Sequence, residues 1–408
     1  MRSACGSFRS GLQRGRTEVA AAAPSAGATR YWEIDALRGL MLVLMTLTHL
    51  PTRLTDPLGQ PFGFVSAAEG FVLLSAFMAG LVYSRLGYRD GVDAMRTAFL
   101  QRALKIYMAQ AATLLFLFTF IAAVGLRVDQ PAVKDLMSFY LLRPGDGFLF
   151  GLLLIYEPAL LDILPMYIFF MLISPWVLAH SMRHGWLAVV LTSTAVWAFA
   201  QFGFSEWVYR LVVDRTGLGV PFQEMGAFNA CAWQFLWFMG LWLGASRNAP
   251  DARPLRIPNW LLASATAIAL YGLYWRHHGP NGQAAFGAND QLNVLFDKWQ
   301  LGPLRIVNLV ALGVVTVGFG PTLARRLPRF HGLEAMGSAS LPVFCAHLVA
   351  VLMVLAFFGG SRTARPWSGD ALLLAMVFAA LYAVARITLW GDLRKAAAAT
   401  ARRSLKAS

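Results

Sequence analysis

Long runs of apolar residues recur along the whole chain, and they constrain the fold more than any other feature of the sequence. Each run has about the length, roughly 17–25 residues, that carries a helix across the core of a bilayer. The runs are continuous rather than alternating, which argues against a membrane β-barrel. The sequence therefore predicts an all-α polytopic membrane protein with about ten transmembrane helices. The ten predicted spans are residues 36–51, 64–84, 103–125, 162–180, 186–203, 230–246, 259–275, 304–321, 339–358 and 370–389.

The basic charge of the chain, +14 in total, is unevenly distributed between the predicted loops. If the N-terminus is cytoplasmic, the segments on that side hold about twice as many Lys and Arg residues as the outer segments. This excess is the positive-inside bias of membrane proteins. We therefore expect both termini in the cytoplasm, and we interpret the charge as a topology signal rather than as a nucleic-acid-binding surface.

The chain divides into one predicted membrane domain, residues 30–390, and two basic tails. Residues 1–29 are rich in Ala, Gly, Ser and Arg and contain no apolar core of signal-peptide length. This composition predicts a disordered cytoplasmic tail and is also compatible with an organelle transit peptide. Residues 391–408 are expected to form a second basic cytoplasmic tail. The three cysteines are too scattered for a metal cluster, so we expect no metal.

The first apolar run carries three ionisable side chains, which are costly in lipid and are therefore candidates for a functional site. At about 100° per residue, Asp35, Arg38 and His49 fall on one narrow helix face. Asp35 and Arg38 can pair with each other, and a structural ion pair explains them as well as a functional role does. His49 has no such neighbour and precedes Pro51, where the helix should end. A functional role is therefore favoured for His49.

Glu69 lies in the second apolar run, SAAEGFVLLSAF, without an oppositely charged neighbour. In the predicted topology, Glu69 and His49 lie at the same, outer end of their spans. We expect the Glu69 carboxylate to hydrogen-bond one nitrogen of His49, which fixes the tautomer and raises the basicity of the other nitrogen. The two residues are thus a candidate catalytic pair.

Arg102 and Lys105 share a helix face at the predicted cytoplasmic edge of the third span. They are explained either as topological charges that reach the lipid headgroups or as a phosphate clamp for an anionic cofactor. Other polar residues at span depth are weaker candidates, because each could simply satisfy a neighbouring helix. They are Gln234, Arg305 and His347.

These motifs, in this order, resemble the transmembrane acyltransferase superfamily. The D-x-x-R-G-(apolar)-H pattern of the acyltransferase-3 family matches Asp35, Arg38, Gly39 and His49, with the same step from acid to histidine. That family's apolar D-x-F-F-V-L-S-G-F motif is similar to EGFVLLSAF, which begins with Glu69.

The resemblance continues further along the chain. Ser75 retains the serine of the second motif, whereas RALKIYM matches the family's R-x-x-R-I-x-P element only in part, with Lys105 and Met108 at its changed positions. Within the superfamily the chain is most similar to the OpgC-type proteins, which succinylate osmoregulated periplasmic glucans. This similarity covers residues 30–390 and includes LPMY at 164–167, AWQ at 232–234, KWQLGPLR at 298–305 and SLPVFCAHLV at 340–349.

The resemblance implies acyl transfer across a bacterial inner membrane. Succinyl-CoA is the expected donor, its phosphates held by Arg38, Arg102 and Lys105, and a periplasmic glucan is the expected acceptor. His49 would act as base or carry the acyl group, with Glu69 orienting it. On the outer side, Arg305 or Lys298 could bind the succinyl carboxylate. The expected supporting residues are Asp35, Ser75, Gln234, Arg305 and His347.

Two other functions would use the same polar residues. An O-acetyltransferase of another cell-envelope glycan keeps the chemistry and changes the substrates. A glycan or lipid transporter would use intramembrane His and Glu as a proton relay. The ordered motifs, together with the lack of the internal repeat that many transporters carry, favour the enzyme. No nucleic-acid partner is expected.

Overall fold

A computed structural model describes residues 31–249, 256–279 and 284–407, and this part of the chain is helical without a β-strand. The predicted N-terminal tail, residues 1–29, lies outside the described residues. The principal helices are α1 (Trp32–His49), α2 (Ala67–Asp90), α3 (Val92–Phe116), α4 (Ile163–His184), α5 (Leu187–Ala200), α6 (Ala230–Ala245), α7 (Asn259–His278), α8 (Pro303–Arg326), α9 (His331–Ser338), α10 (Ser340–Phe358) and α11 (Trp367–Ala407).

Shorter helices connect this frame. A π-helical turn (Leu117–Ile121) continues α3 into a further helix, Ala122–Arg127. The other short α-helices are Thr55–Leu58, Pro131–Leu136, Ser138–Leu142, Pro144–Leu152, Phe204–Thr216 and Asp290–Asn293, and there are 3₁₀ turns at Phe222–Glu224 and Val294–Phe296. All ten predicted spans therefore coincide with helices. Helix α9 is an additional helix that the apolar runs did not predict.

Six helical segments in the described residues are long and apolar enough to cross a membrane, and there is a seventh if one bent pair of helices is counted as a single span. The six are α2, Val92–Arg127, α4, α8, α10 and α11, and the pair is α5 with Phe204–Thr216, bent by 81°. The all-α membrane class is confirmed. The count of about ten spans is not, because three helices do not qualify: α1 is charged in its first half, α6 has only 16 residues, and α7 is not apolar enough. The cytoplasmic position of both termini stays a prediction.

The ends of the helices follow local sequence rules. α1 ends at His49 because Pro51 cannot continue it. α6 begins after Asn229, whose side chain accepts a hydrogen bond from the backbone N–H of Ala232 at 3.2 Å. α8 begins with Pro303, whose missing N–H would have no partner in a first turn.

The close contact between α1 and α9 depends on two glycines. A Cβ atom on Gly39 would lie 2.0 Å from the carbonyl oxygen of Leu333. A Cβ atom on Gly337 would lie only 1.7 Å from the carbonyl oxygen of Asp35. Because the two backbones touch, neither position accepts a side chain without separating the helices. The glycine of the first sequence motif thus has a packing role.

Helix α6 lies in the core of the bundle, where it packs along α2 and also contacts α4 and α5. Two of its indoles, Trp233 and Trp237, are fully buried. The indole N–H of Trp237 donates to the hydroxyl of Ser174 on α4 at 2.9 Å, so this buried polar group is satisfied. The polar groups described next therefore lie on a rigid, well-packed support.

Candidate functional site

Two histidines from distant parts of the sequence are in contact in the structure. His49 lies in the last turn of α1, and its Nδ1 atom is 3.2 Å from Nε2 of His347 on α10. The two ring planes are inclined by 19°, and the ring centroids are 5.4 Å apart. The other nitrogen of His347, Nδ1, lies 2.6 Å from the backbone oxygen of Phe344. His347 is fully buried, whereas His49 is partly exposed.

This chain of contacts fixes where the protons are when both rings are neutral. A carbonyl oxygen only accepts hydrogen bonds, so the Nδ1 atom of His347 must donate to Phe344. The Nε2 atom of His347 is then an acceptor, and Nδ1 of His49 donates to it. Nε2 of His49 is left without a proton and with a free lone pair. A general base needs this form of the ring.

Glu69 does not have the partner that the sequence suggests. Its Oε1 atom accepts a hydrogen bond from Nη1 of Arg305 at 2.5 Å, and its Oε2 atom accepts from the backbone N–H of Ser66 at 3.1 Å and from the Ser66 hydroxyl. The expected Glu69–His49 hydrogen bond is therefore replaced by a buried ion pair, and His347 is the partner of His49. A fully buried carboxylate needs a cation more than it needs a neutral imidazole. The catalytic role of Glu69 stays a prediction.

Arg305 forms the other half of this buried pair. Its Nε atom donates to the backbone oxygen of Phe296 at 3.0 Å, and its side chain is almost inaccessible. The pair joins the start of α2 to the start of α8. Arg305 thus has two hydrogen-bond partners in the protein, and its predicted supporting role stays a prediction.

A second polar site is a cleft between α1, α2, α3, α4 and α10. Its cavity volume is about 20 Å³, and it is lined by both Arg38 and Arg102, whereas the exposed Lys105 does not line it. Two of the three residues predicted to clamp phosphates are thus brought together. The remaining lining residues are Phe71, Ser75, Ile106, Leu164, Tyr167, Ser340, Leu341 and Phe344.

Arg38 is held in this cleft by hydrogen bonds and charge. Its Nη2 atom donates to the Ser340 hydroxyl at 2.5 Å, and its Nη1 atom lies 3.7 Å from Oδ1 of Asp35. The predicted pairing of Asp35 with Arg38 is present, and Asp35 also accepts from the hydroxyl of Ser338 at 3.0 Å. Ser75 is buried beside them, and its hydroxyl has no hydrogen-bond partner among the described residues. Such a hydroxyl is available to a polar ligand.

One aromatic ring separates the cleft from the histidine pair. Phe344 lines the cleft, and its ring centroid is 4.8 Å from that of His347. Phe71, which also lines the cleft, stacks on Phe344 at 5.8 Å. A group bound in the cleft is therefore one aromatic side chain away from the two imidazoles.

Three ionisable residues, Glu157, Asp162 and Lys298, lie outside the membrane-length helices of the structure, Asp162 directly before α4. Lys298 lies within electrostatic reach of His49, Glu69 and Asp162. Burial raises the pKa of Asp162 from 3.8 to about 6, and burial together with the Asp162 charge raises the pKa of Glu157 well above its usual range. Sequence reasoning missed these two acids, although Asp162 lies two residues before the LPMY block.

Gln234 has a structural role. Its Nε2 atom donates to the backbone oxygens of Ser193 and Cys231 at 2.8 and 3.1 Å, and its Oε1 atom accepts from the Ser193 hydroxyl at 2.7 Å. It joins α5 to α6, which is the simpler of its two predicted roles. Among the described residues, no group of three or more His, Cys, Asp or Glu side chains is placed to hold a metal ion.

Comparison with known proteins identifies the family. Residues 30–392 match the family described as OpgC protein. The chain belongs to the OpgC family. No curated protein and no solved structure matches the chain. Membership implies a role in the modification of osmoregulated periplasmic glucans and confirms the resemblance to OpgC-type proteins. The wider link to the acyltransferase-3 family stays a prediction.

Sequence blocks that resemble OpgC-type proteins lie far apart in the chain, and the structure brings them into contact with the first two helices. The KWQLGPLR block supplies Arg305, and the SLPVFCAHLV block supplies Ser340 and His347. These residues contact Glu69, Arg38 and His49, respectively. The blocks of this OpgC-family chain therefore supply the contact partners of Glu69, Arg38 and His49.

Proposed function

We propose that this OpgC-family protein transfers an acyl group, succinyl, from cytoplasmic succinyl-CoA to hydroxyl groups of periplasmic glucans at the bacterial inner membrane. Family membership supports the glucan acceptor. The observation that carries the reaction type is the hydrogen-bond chain from Phe344 through His347 to His49, because it presents an unprotonated Nε2 atom.

The cleft is suited to the phosphates of an acyl-CoA. Arg38 and Arg102 supply positive charge, and guanidinium groups bind phosphate oxygens through paired N–H donors. The unpartnered hydroxyl of Ser75 adds a polar group inside the cleft. Lys105 is exposed one helical turn from Arg102, where it would attract an anion rather than clamp it.

His49 would carry the proton transfer. Its Nε2 atom takes the proton of the acceptor hydroxyl as that oxygen attacks the carbonyl carbon of the thioester. The C–S bond then breaks, and the proton held by His49 passes to the departing CoA thiolate. His347 accepts a hydrogen bond from Nδ1–H of His49 throughout, which stabilises the imidazolium between the two steps.

The same arrangement allows a second order of events. Nε2 of His49 can attack the thioester carbonyl itself, so that the C–S bond breaks, CoA leaves as the thiolate and His49 carries the acyl group. The glucan hydroxyl oxygen then attacks this acyl group, the C–N bond to His49 breaks, and the hydroxyl proton passes to the CoA thiolate. Both routes require the same tautomer of His49, and both benefit from a protein interior that keeps water from hydrolysing the thioester. Glu69 and Arg305 would act by holding α2 and α8 in place around this centre.

The test uses membranes that contain the protein, supplied with a glucan acceptor and either succinyl-CoA or acetyl-CoA. Mass spectrometry of the glucan should show addition of succinyl groups that depends on the protein. Addition of acetyl groups alone would show that the donor is acetyl-CoA and that the reaction is still acyl transfer. No acyl addition with any donor would overturn acyl transfer and favour glycan or lipid transport by the same polar residues.

A further inference from the structure

The loop at residues 297–302, before α8, is fastened to the core of the bundle. The indole N–H of Trp233 donates to the backbone oxygen of Trp299 at 3.1 Å, and that of Trp197 donates to the backbone oxygen of Leu301 at 3.0 Å. Leu301 has a φ of 48°, a left-handed conformation that a branched residue adopts only when its surroundings impose it. The loop is therefore a preorganised support for the side chains that it carries.

One of those side chains is Lys298, a half-buried cation. Its Nζ atom lies 4.5 Å from the ring centroid of Trp299 and 5.7 Å from that of Phe228. These cation–π contacts orient the ammonium group without neutralising its charge. Within the described parts of the chain, Lys298 forms no ion pair with a carboxylate.

The nearby carboxylates have other partners and form no ion pair with Lys298 among the described residues. Glu69 is neutralised by Arg305 at 2.5 Å. Asp162 accepts a hydrogen bond from the backbone N–H of Ala227, and burial raises its pKa to about 6. Glu157, beside Asp162, has a pKa raised well above its usual range by burial and by that neighbour. Among the described residues, the end of the bundle around Lys298 therefore holds a cation that no carboxylate contacts directly.

We propose that Lys298 binds the carboxylate at the far end of a dicarboxylic acyl group, and so selects an anionic donor over an uncharged one of the same length. The inference rests on the proposed function, because it requires acyl transfer at His49. An anion close to Lys298 completes the local charge balance in a partly desolvated place. A glucan hydroxyl is neutral and needs no such cation.

The position of Lys298 agrees with this role. It lies within electrostatic reach of His49, whose Nε2 atom is where the acyl carbonyl must react. Arg305, the other candidate for this carboxylate, is less suitable because it is buried and its charge is already paired with Glu69.

The test compares two four-carbon donors that differ in the charge of their far end, succinyl-CoA and butyryl-CoA. The purified full-length protein, a Lys298→Met variant and a Lys298→Arg variant are assayed for acyl transfer to glucan with each donor. We expect Lys298→Met to lower kcat/KM for succinyl-CoA about 10- to 100-fold, the loss typical of one hydrogen bond to a charged group, with little change for butyryl-CoA. Lys298→Arg should retain the preference for succinyl-CoA.

Lys134→Met is the matched control, because Lys134 is an exposed lysine paired with Asp129, away from the histidines. Lys298→Gln gives a second uncharged variant if Lys298→Met does not yield folded protein. Equal losses with both donors, or no loss with either, would overturn the inference. A wild-type protein that uses butyryl-CoA as well as succinyl-CoA would overturn the inference and leave acyl transfer intact. A wild-type protein that transfers neither group would overturn the proposed function itself.

Discussion

Nδ1 of His49 lies 3.2 Å from Nε2 of His347, although 298 positions separate the two residues in the sequence. Nδ1 of His347 donates a hydrogen bond to the backbone oxygen of Phe344, so the hydrogen bond between the two histidines runs from His49 to His347. His347 holds His49 in the tautomer whose Nε2 atom is free. The sequence suggests that a carboxylate is the partner of His49. In the structure the partner is a second imidazole, which is itself hydrogen-bonded to a backbone carbonyl.

The first prediction concerns His347 as a positioning residue. His347→Ala should lower kcat about 100-fold, near the lower end of what general base catalysis contributes, because His49 loses the acceptor that fixes its tautomer. The KM for acyl-CoA should change little, because His347 does not line the cleft. Steady-state kinetics of the purified variant check this, and an unchanged kcat would remove His347 from the reaction.

The second prediction separates two basic residues on one face of α3. Arg102→Ala should weaken binding of acyl-CoA about 10-fold, the effect of losing one charge-assisted contact, because Arg102 lines the cleft. Lys105→Ala should have a smaller effect, since Lys105 is exposed outside the cleft. Calorimetric titration with CoA measures both variants, and equal losses would contradict the placement of the phosphate site.

The third prediction concerns the buried ion pair. Glu69→Gln or Arg305→Met alone should lower the free energy of unfolding by about 3–5 kcal/mol, because each change leaves an uncompensated buried charge. The double variant Glu69→Gln/Arg305→Met should recover part of that stability. Thermal unfolding in detergent checks this order.

Activity of the same variants tests the role of Glu69. If the pair is a support, recovery of stability in the double variant should be accompanied by recovery of acyl transfer. A stable but inactive double variant would instead show that the Glu69 carboxylate takes part in the chemistry directly.

The fourth prediction is a pH dependence of stability from Asp162. Its pKa is about 6 in the folded protein against an ordinary 3.8, so the folded state holds this proton more strongly than the unfolded state. The contribution of Asp162 to the free energy of unfolding is therefore complete below about pH 4. It is lost, by about 3 kcal/mol in total, as the pH rises through about 6. Asp162→Asn should flatten this part of the stability profile, and an unchanged slope in the variant would contradict the assignment.

Much of the fold was readable from the sequence because lipid-length apolar runs have few alternatives to helices. All ten runs became helices, and the Asp35–Arg38 contact followed from helix geometry within one turn. The missed element, α9, is only eight residues long and is placed by the contact of Gly39 and Gly337 between backbones. Hydropathy carries no signal for such a contact.

The site was less predictable, because its decisive contacts join distant segments. Arg305 lies 236 positions from Glu69, and helical periodicity cannot show which helix supplies the partner of a buried carboxylate. One local signal was available, since the spacing from Ser66 to Glu69 is that of a capping box, which already engages the carboxylate. His347 was identified only as a polar residue at span depth, without its partner.

The central claim is that His49 performs the proton transfer or carries the acyl group, and one measurement tests it most directly. Purified wild-type protein, His49→Ala and the exposed-site control His331→Ala are given succinyl-CoA and glucan, and the succinylated product is quantified by mass spectrometry. We predict normal product from wild type and His331→Ala, and a loss of at least about 100-fold from folded His49→Ala. Succinylation by His49→Ala at the wild-type rate would contradict the account.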